Sequence, residues 1–273
     1  MTPLRIAILQ SSGHPGDVAA NLGALDAAAA RAAESGARLL VCPEMFLTGY
    51  AIGDAVEQLA EAADGPGPAA VAAIAARHGV AVAHGYPERD PATGAVHNSA
   101  QLVGPDGRVL ADYRKTHLFG PFETWHFRAG DTPVVTADLF GLRIGLLVCY
   151  DVEFPETGRA HALAGTDLLL VPTALMRPYD VVPEVLLPAR AFENQMYVAY
   201  ANRCGPEGEF DFAGLSCLAG PDGTAAARAG RGEELLVADV DPEVLSASRA
   251  RNTYLSDRRP ELYASLVPPV RVP

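Results

Sequence analysis

The chain has 273 residues and a formal net charge of −12 at pH 7, with 49% hydrophobic and 20% charged residues. This length is sufficient for one large hydrophobic core, and the composition is ordinary for a globular protein. The negative charge, together with the lack of any Lys/Arg-rich run, argues against nucleic acids and anionic membrane surfaces as partners.

The N-terminal sequence MTPLRIAILQ shows no basic segment followed by a long apolar one. A signal peptide has both features, so none is expected. No uninterrupted apolar stretch of about 18 residues occurs, which argues against a transmembrane helix. We therefore expect a cytoplasmic protein that does not enter a membrane.

Short apolar runs alternate with Ala-rich stretches along the whole chain, which is typical of alternating strands and helices. Strands are predicted, in chain order, at residues 5–10, 38–42, 80–85, 98–103, 109–113, 142–148, 168–171, 197–202, 215–219, 225–228 and 234–239. Helices are predicted at residues 17–35, 68–78, 154–164 and 183–194.

Two strand pairs are joined by the same Gly-Pro-Asp-Gly sequence, at residues 104–107 and 220–223, which is typical of a hairpin turn. The order of strands and helices before each hairpin is also similar, which indicates an internal duplication. We interpret the chain as an α/β protein in which helices cover two similar mixed sheets packed together. Residues 1–241 are predicted to form a single domain. Residues 242–273 are predicted to form an extended C-terminal arm that packs on the domain or on a partner subunit.

The chain contains four cysteines, which are Cys42, Cys149, Cys204 and Cys217. In a chain of this size without a secretory signal, free thiols are expected rather than disulfides. No pair has the spacing of a zinc site, so each cysteine is either a small buried residue or a nucleophile. A metallohydrolase that uses His78, His84 and His97 is an alternative, but these histidines fall in separate segments without ligand spacing.

Three segments place a reactive side chain just after a predicted strand, where ligands commonly meet side chains in α/β sheets. Glu44 in VCPEMFLTGY would be partly desolvated there, which raises the pKa of a carboxyl group and suits a general base. A turn or helix-capping glutamate is the alternative. Lys115 in DYRKTHLF would stabilise an oxyanion if it pointed into a pocket, whereas an exposed lysine is the usual alternative.

The third segment is GLLVCYDVEFPE, in which Cys149 lies between a buried strand and a helix. This placement is similar to the nucleophile elbow of other hydrolases. A helix N-terminus or an ammonium group nearby lowers the pKa of a thiol and makes it reactive. The backbone N–H of Tyr150 would donate to an oxyanion. The alternative is a buried, inert cysteine.

Together the three segments resemble the nitrilase superfamily of carbon–nitrogen hydrolases, through PEMFLTGY, YRKTHLFG and CYDVEFPE and over essentially the whole chain. The resemblance implies a four-layer αββα sandwich that forms a homodimer through its outer helices. It also implies roles for three side chains, with no metal or organic cofactor. Glu44 is the general base, Lys115 stabilises the tetrahedral intermediate, and Cys149 forms a thioester. A second glutamate that positions the substrate corresponds to Glu123 in GPFETW.

The residues after the cysteine resemble the amidase branches, since nitrilases typically have Cys-Trp-Glu where this chain has Cys-Tyr-Asp. We therefore expect hydrolysis of a small carboxamide to a carboxylic acid and ammonia. Three alternatives stay open on the same fold: hydrolysis of an N-carbamoyl compound, hydrolysis of a nitrile, and a non-enzymatic binding or assembly role.

Further side chains are predicted to line the substrate pocket. Thr173 and Ala174 directly follow a predicted strand, and Tyr50 is another candidate. Trp125 lies in a short aromatic loop that offers a wall to a small substrate, although core or dimer contacts are the alternative for this loop. Arg177 would pair either with a substrate carboxylate or with a surface acid.

Overall fold

The structure is a computed structural model that describes residues 2–264. The strands of these residues form two six-stranded sheets and one separate hairpin. In chain order they are β1 (Leu4–Gln10), β2 (Leu39–Val41), β3 (Ala81–Arg89), β4 (Val96–Val103), β5 (Val109–Arg114), β6 (Val135–Leu139), β7 (Leu142–Leu146), β8 (Leu168–Thr173), β9 (Tyr197–Asn202), β10 (Cys204–Glu207), β11 (Phe210–Ala213), β12 (Cys217–Ala219), β13 (Ala225–Arg228) and β14 (Glu234–Val240).

The helices lie outside the two sheets, and none within residues 2–264 is long and apolar enough to cross a membrane. They are α1 (Val18–Glu34), α2 (Ala55–Leu59), α3 (Pro66–His78), α4 (Gly120–His126), α5 (Pro155–Leu163), α6 (Leu187–Asn194) and α7 (Pro242–Arg251). Short helical turns are also present, of 3₁₀ type at Cys149–Glu153 and Pro260–Leu262 and of π type at Val182–Leu186.

The two sheets have the same topology. The first has the order β14-β1-β2-β3-β4-β5, with β1, β2 and β3 parallel and the other pairings antiparallel. The second has the order β6-β7-β8-β9-β12-β13, again with three parallel central strands and antiparallel flanks. The predicted pair of similar mixed sheets with helices on the outer faces, a four-layer αββα sandwich, is confirmed.

The central strands are apolar on both faces because each sheet is covered on both faces. In β1, Ile6 and Ile8 point into a core shared with the second sheet. Ala7 and Leu9, which alternate with them, pack instead against the helix layer formed by α1 and α3. Each fully buried aliphatic side chain of this kind stabilises the fold by about 1.5–3 kcal/mol. The strands therefore read as continuous apolar runs rather than as alternating ones.

Several elements differ from the sequence-based prediction. The predicted helix at 183–194 begins as the π-helical turn and becomes α-helical only at Leu187. Strand β6 and the hairpin β10–β11 were missing from the prediction because their sequences, VTADL, CGPE and FDFA, lack a long apolar run. Helix α4 lies within the short aromatic loop that was predicted to contain Trp125.

The C-terminal segment is helical over Pro242–Arg251, so the prediction of an extended chain is wrong for these residues. The Asp241 side chain caps the helix by accepting a 2.8 Å hydrogen bond from the Glu243 N–H, and proline at the first helical position favours the same start. Arg249 binds Asp167 at 2.7 Å. Residues 265–273 of the predicted arm lie outside the described residues.

The shared core gives the first prediction. Leu170 in β8 is fully buried between the sheets, whereas Leu163 on α5 is 53% exposed. We expect Leu170→Ala to lower the free energy of unfolding by about 2–5 kcal/mol because it leaves a cavity. Denaturant titration followed by circular dichroism measures this change. The matched variant Leu163→Ala is expected to cost less than about 1 kcal/mol, and equal losses would contradict the assigned core.

Candidate active site

Cys149 lies where strand β7 gives way to helix α5. Its φ of +48° is in the left-handed region, which a non-glycine residue adopts only when its surroundings hold it there. It begins the 3₁₀ turn at Cys149–Glu153, and its side chain lines a cavity of about 230 Å³. The cysteine is 8% exposed, so it is open to this cavity rather than sealed in the core.

Asp151 holds the turn that carries the cysteine. Its buried carboxylate accepts hydrogen bonds from the Val148 N–H at 3.2 Å and from the Tyr113 hydroxyl at 2.9 Å. It also accepts bonds from the Thr116 hydroxyl at 2.9 Å and the His117 N–H at 2.8 Å. Tyr113, Thr116 and His117 surround Lys115 in the chain, so Asp151 ties the cysteine turn to the lysine segment. Sequence analysis did not identify this role.

Lys115 is fully buried directly after β5. Its ammonium group donates to Oε1 of Glu44 at 2.8 Å and to Oε1 of Glu123 at 2.6 Å. Its backbone N–H donates to the Asn98 carbonyl at 2.8 Å, which fixes the residue to β4. The ordinary alternative, an exposed lysine at a strand end, does not apply. The structure brings Glu44, Lys115 and Glu123 together as one buried ionic group.

Glu44 follows β2 and has two oxygens in different situations. Oε1 accepts hydrogen bonds from Lys115 and, at 2.7 Å, from the Asn98 amide. Oε2 is buried and has no hydrogen-bond partner among the residues that the structure describes. Burial raises the pKa of Glu44 to about 7, and the nearby Glu123 carboxylate also raises it, while Lys115 opposes the shift. Glu44 can therefore exchange a proton near neutral pH.

The surroundings of Lys115 and Cys149 favour the protonated form of both side chains. Although burial disfavours a charged amine, the Glu123 and Glu44 carboxylates raise the pKa of Lys115 well above its usual range. Burial, and then the Glu44 carboxylate, raise the pKa of the Cys149 thiol well above its usual range, with Lys115 opposing. The resting site therefore holds a neutral thiol beside a charged ammonium group.

A second buried ion pair, formed by Arg203 and Glu207, supports the loop that follows Glu44. The Arg203 guanidinium donates to the backbone carbonyls of Glu44 at 3.3 Å and Met45 at 3.4 Å. It also pairs with Glu207 at 2.6 Å, and Glu207 accepts the Tyr50 N–H at 2.6 Å. The supporting roles of Asn98, Arg203 and Glu207 were not predicted from the sequence. A usable signal exists for Asn98 and Arg203, because both are polar side chains within or beside runs predicted as buried strands.

The predicted pocket residues fall into two groups. Tyr50, Tyr150 and Ala174 line the cavity, and the Tyr50 hydroxyl donates to Glu123 at 2.8 Å. The other cavity-lining residues are Phe119, Cys149, Glu153, Leu175, Met176 and Tyr179.

Three candidates do not lie on this cavity. Trp125 is 83% exposed on α4, so it does not form the predicted aromatic wall. Thr173 is buried, and its carbonyl accepts the Glu44 N–H at 3.3 Å, so it supports the glutamate instead of facing a substrate. Arg177 lies 3.5 Å from Asp211 in a surface pair.

The histidines of the metallohydrolase alternative are separated. His78 contacts Asp26 at 2.8 Å, and His97 contacts the Arg128 carbonyl at 2.7 Å. His84 is buried, and its ring nitrogens have no hydrogen-bond partner within residues 2–264. Residues 2–264 contain no cluster of three or more His, Cys, Asp or Glu side chains that could hold a metal ion. The four cysteines are free and buried.

A αββα sandwich with a glutamate, a lysine and a cysteine converging at its strand ends defines the nitrilase class of hydrolases. The chain belongs to the carbon–nitrogen hydrolase family, whose model matches residues 5–250. The resemblance inferred from the sequence motifs is confirmed.

Similar proteins include a hydrolase encoded in the pqqF 5′ region of Pseudomonas protegens, 50% identical over 96% of this chain and 92% of that protein. An (R)-stereoselective amidase of a Pseudomonas species is 38% identical over 94% of this chain and 92% of that protein. Among solved structures, an amidase from Nesterenkonia sp. AN1 in complex with acrylamide has a TM-score of 0.88 and 39% identity, covering 97% of both chains.

The buried ionic group gives the second prediction. Lys115→Met leaves the Glu44 and Glu123 carboxyl groups without their cation, and we expect it to lower the free energy of unfolding by about 3–5 kcal/mol at mildly alkaline pH. Denaturant titration measures the loss. Adding Glu123→Gln to this variant removes one unpaired carboxylate and is expected to restore about 1–3 kcal/mol. Additive losses in the double variant would contradict the pairing.

Proposed function

We propose that this protein is a cysteine amidohydrolase that cleaves the C–N bond of a small carboxamide, releasing ammonia and a carboxylic acid through a thioester. One observation carries the proposal: a lysine held between Glu44 and Glu123 is close enough to act electrostatically on Cys149, which lines the cavity. The groups needed for acyl transfer, namely a nucleophile, a base and a cation for the oxyanion, meet at one place.

In the first step the Cys149 sulfur attacks the amide carbon and its proton passes to Glu44. Oε2 of Glu44 is the oxygen free to accept it, since Oε1 is engaged by Lys115 and Asn98. A base with a pKa of about 7 suits this transfer at neutral pH, because it is ionised enough to accept a proton and basic enough to retain it. Coupling attack to proton transfer avoids a free thiolate in a buried site.

The negative oxygen of the tetrahedral intermediate is stabilised by the Lys115 ammonium group and the Tyr150 backbone N–H. Glu123 keeps Lys115 charged and in place through its hydrogen bond with the ammonium group. The Tyr50 hydroxyl in turn donates a hydrogen bond to Glu123. The protonated Glu44 then gives its proton to the leaving nitrogen, and ammonia departs. Water activated by Glu44 hydrolyses the thioester and restores the thiol.

Similar proteins support the substrate class. Structures of the Nesterenkonia amidase include a butyramide complex and an adduct of acrylamide at its active-site cysteine. A cavity of about 230 Å³ is below the range of roughly 300–1,000 Å³ typical of pockets for drug-sized ligands. Both observations favour a short acyl group. The expected homodimer and cytoplasmic location stay predictions.

Two other reactions use the same groups. An N-carbamoyl compound would release carbon dioxide as well as ammonia, and a nitrile would proceed through a thioimidate. A non-enzymatic binding role is disfavoured because burying the charged side chains of Glu44 and Lys115 near Cys149 costs desolvation free energy, and apolar side chains would fill the same space at least as well.

The third prediction tests the nucleophile and the substrate class together. We expect ammonia release from butyramide, with no turnover of butyronitrile or N-carbamoyl-β-alanine, and a loss of at least about 1,000-fold with Cys149→Ala. Cys217→Ala is the matched control, since Cys217 is a free thiol buried in the core, away from the cavity. Intact mass spectrometry of the quenched wild-type enzyme should show the acyl adduct, which Cys149→Ala should lack.

Turnover of the nitrile alone would overturn the amidase assignment. Full activity of Cys149→Ala would overturn the thioester mechanism, because another group would then have to form the covalent bond.

The fourth prediction concerns pH. Because Glu44 must be ionised to accept the thiol proton, kcat/KM for butyramide should rise with pH through the Glu44 pKa of about 7. A single ionisation of this kind makes kcat/KM roughly fifty-fold lower at about pH 5 than at about pH 7. Butyramide carries no charge, so the titration belongs to the enzyme. A flat profile over this range, with the fold intact by circular dichroism, would contradict the role of Glu44.

A further inference from the structure

Glu153 is a cavity-lining carboxylate that the proposed mechanism does not use. It ends the 3₁₀ turn that begins at Cys149 and lines the same cavity of about 230 Å³. The side chain is half-buried and accepts no side-chain hydrogen bond from the described residues. Its pKa is influenced by burial and by the charges of Lys115 and Arg190. Its carboxylate is therefore available to a group that binds in the cavity.

The main chain at Glu153 is fixed from outside the cavity. The Arg190 guanidinium donates to the Val152 carbonyl at 3.1 Å and to the Glu153 carbonyl at 2.7 Å. Arg190 also pairs with Glu193 at 2.9 Å, so its charge is already partly neutralised there. These contacts hold the backbone from which the Glu153 side chain reaches the cavity wall.

Among the described residues that line the cavity, Glu153 alone has a carboxylate side chain, and none is a lysine or an arginine. Lys115 pairs with Glu44 at 2.8 Å and with Glu123 at 2.6 Å and forms no salt bridge with Glu153. Burial raises the pKa of Glu153, with Lys115 and Arg190 opposing. A cation bound beside Glu153 would favour its ionised form.

Aromatic rings complete the surroundings of this carboxylate. Tyr50, Phe119, Tyr150 and Tyr179 line the cavity together with Glu153. The face of an aromatic ring attracts a cation, and a carboxylate next to several rings forms a favourable environment for an alkylammonium group.

We propose that Glu153 is a specificity-determining residue that selects amides whose acyl chain carries an amino group. The ammonium group of the substrate binds the Glu153 carboxylate and the nearby rings while the amide carbon lies at Cys149. This inference rests on the proposed amidase function and deepens it by naming the substrate class.

β-Alaninamide and butyramide provide the test, because they have the same chain length and differ by an ammonium group in place of a methyl group. We expect the ratio of kcat/KM for β-alaninamide to that for butyramide to fall at least about tenfold with Glu153→Gln. Glu156→Gln is the matched control. It removes the same charge three residues further along, from an exposed side chain at the start of α5, and the ratio should stay within about twofold of wild type.

An unchanged ratio in Glu153→Gln would overturn the proposal, and so would equal losses with both amides, which would assign Glu153 to positioning the Cys149 turn. Calorimetry in a Cys149→Ala background gives a readout without turnover. There, Glu153→Gln should weaken β-alaninamide binding at least about tenfold and change the preference between the two amides accordingly. Lack of wild-type turnover of either amide would refute the proposed function, whereas this binding preference would still decide the role of Glu153.

Discussion

The pairing of Lys115 with two buried glutamates is the interaction on which the site depends. An ammonium group and two carboxylates removed from water are stable only if they compensate one another and their remaining hydrogen-bonding capacity is met. Lys115 pairs with Glu44 at 2.8 Å and with Glu123 at 2.6 Å. The Asn98 amide donates a further hydrogen bond to Glu44, and the Tyr50 hydroxyl donates one to Glu123. Oε2 of Glu44 is the position that the protein leaves unoccupied by any donor among its described residues. The cost of burial is thereby concentrated on the oxygen that we propose as the proton acceptor.

The duplicated sheet topology explains why these groups meet. Each sheet has three parallel central strands, so polar residues that follow these strands gather at one edge. Glu44 follows β2 of the first sheet, and Cys149 follows β7 of the second. Packing the sheets face to face through the shared core brings the two edges together. The site therefore lies between two similar halves, and each half supplies part of it.

Two layers of polar contacts hold the reacting side chains in place. Asp151 links the cysteine turn to the segment around Lys115, and Arg203 with Glu207 supports the loop after Glu44. None of these three side chains belongs to the cavity wall. Their effect is to keep the left-handed conformation of Cys149 and the position of Glu44 fixed. The acyl transfer that we propose needs this, because small displacements of the reacting atoms slow such a reaction strongly.

The sequence by itself indicated most of the strands, the two Gly-Pro-Asp-Gly hairpins and the placement of Glu44, Lys115 and Cys149 near strand ends. These features depend on local periodicity, turn chemistry and short motifs, which are written in adjacent residues. The tertiary structure alone decided the exposure of Trp125 and the supporting role of Thr173.

It also decided which distant residues became partners. Asn98 bonds to Glu44 across 54 residues of chain, and Arg203 bonds to it across 159. The backbone carbonyl of Glu153 is likewise bound by Arg190, which lies on α6, 37 residues further along the chain. Such contacts are set by how the two sheets pack and by which buried polar groups then need a partner, and no local pattern in the sequence records that need.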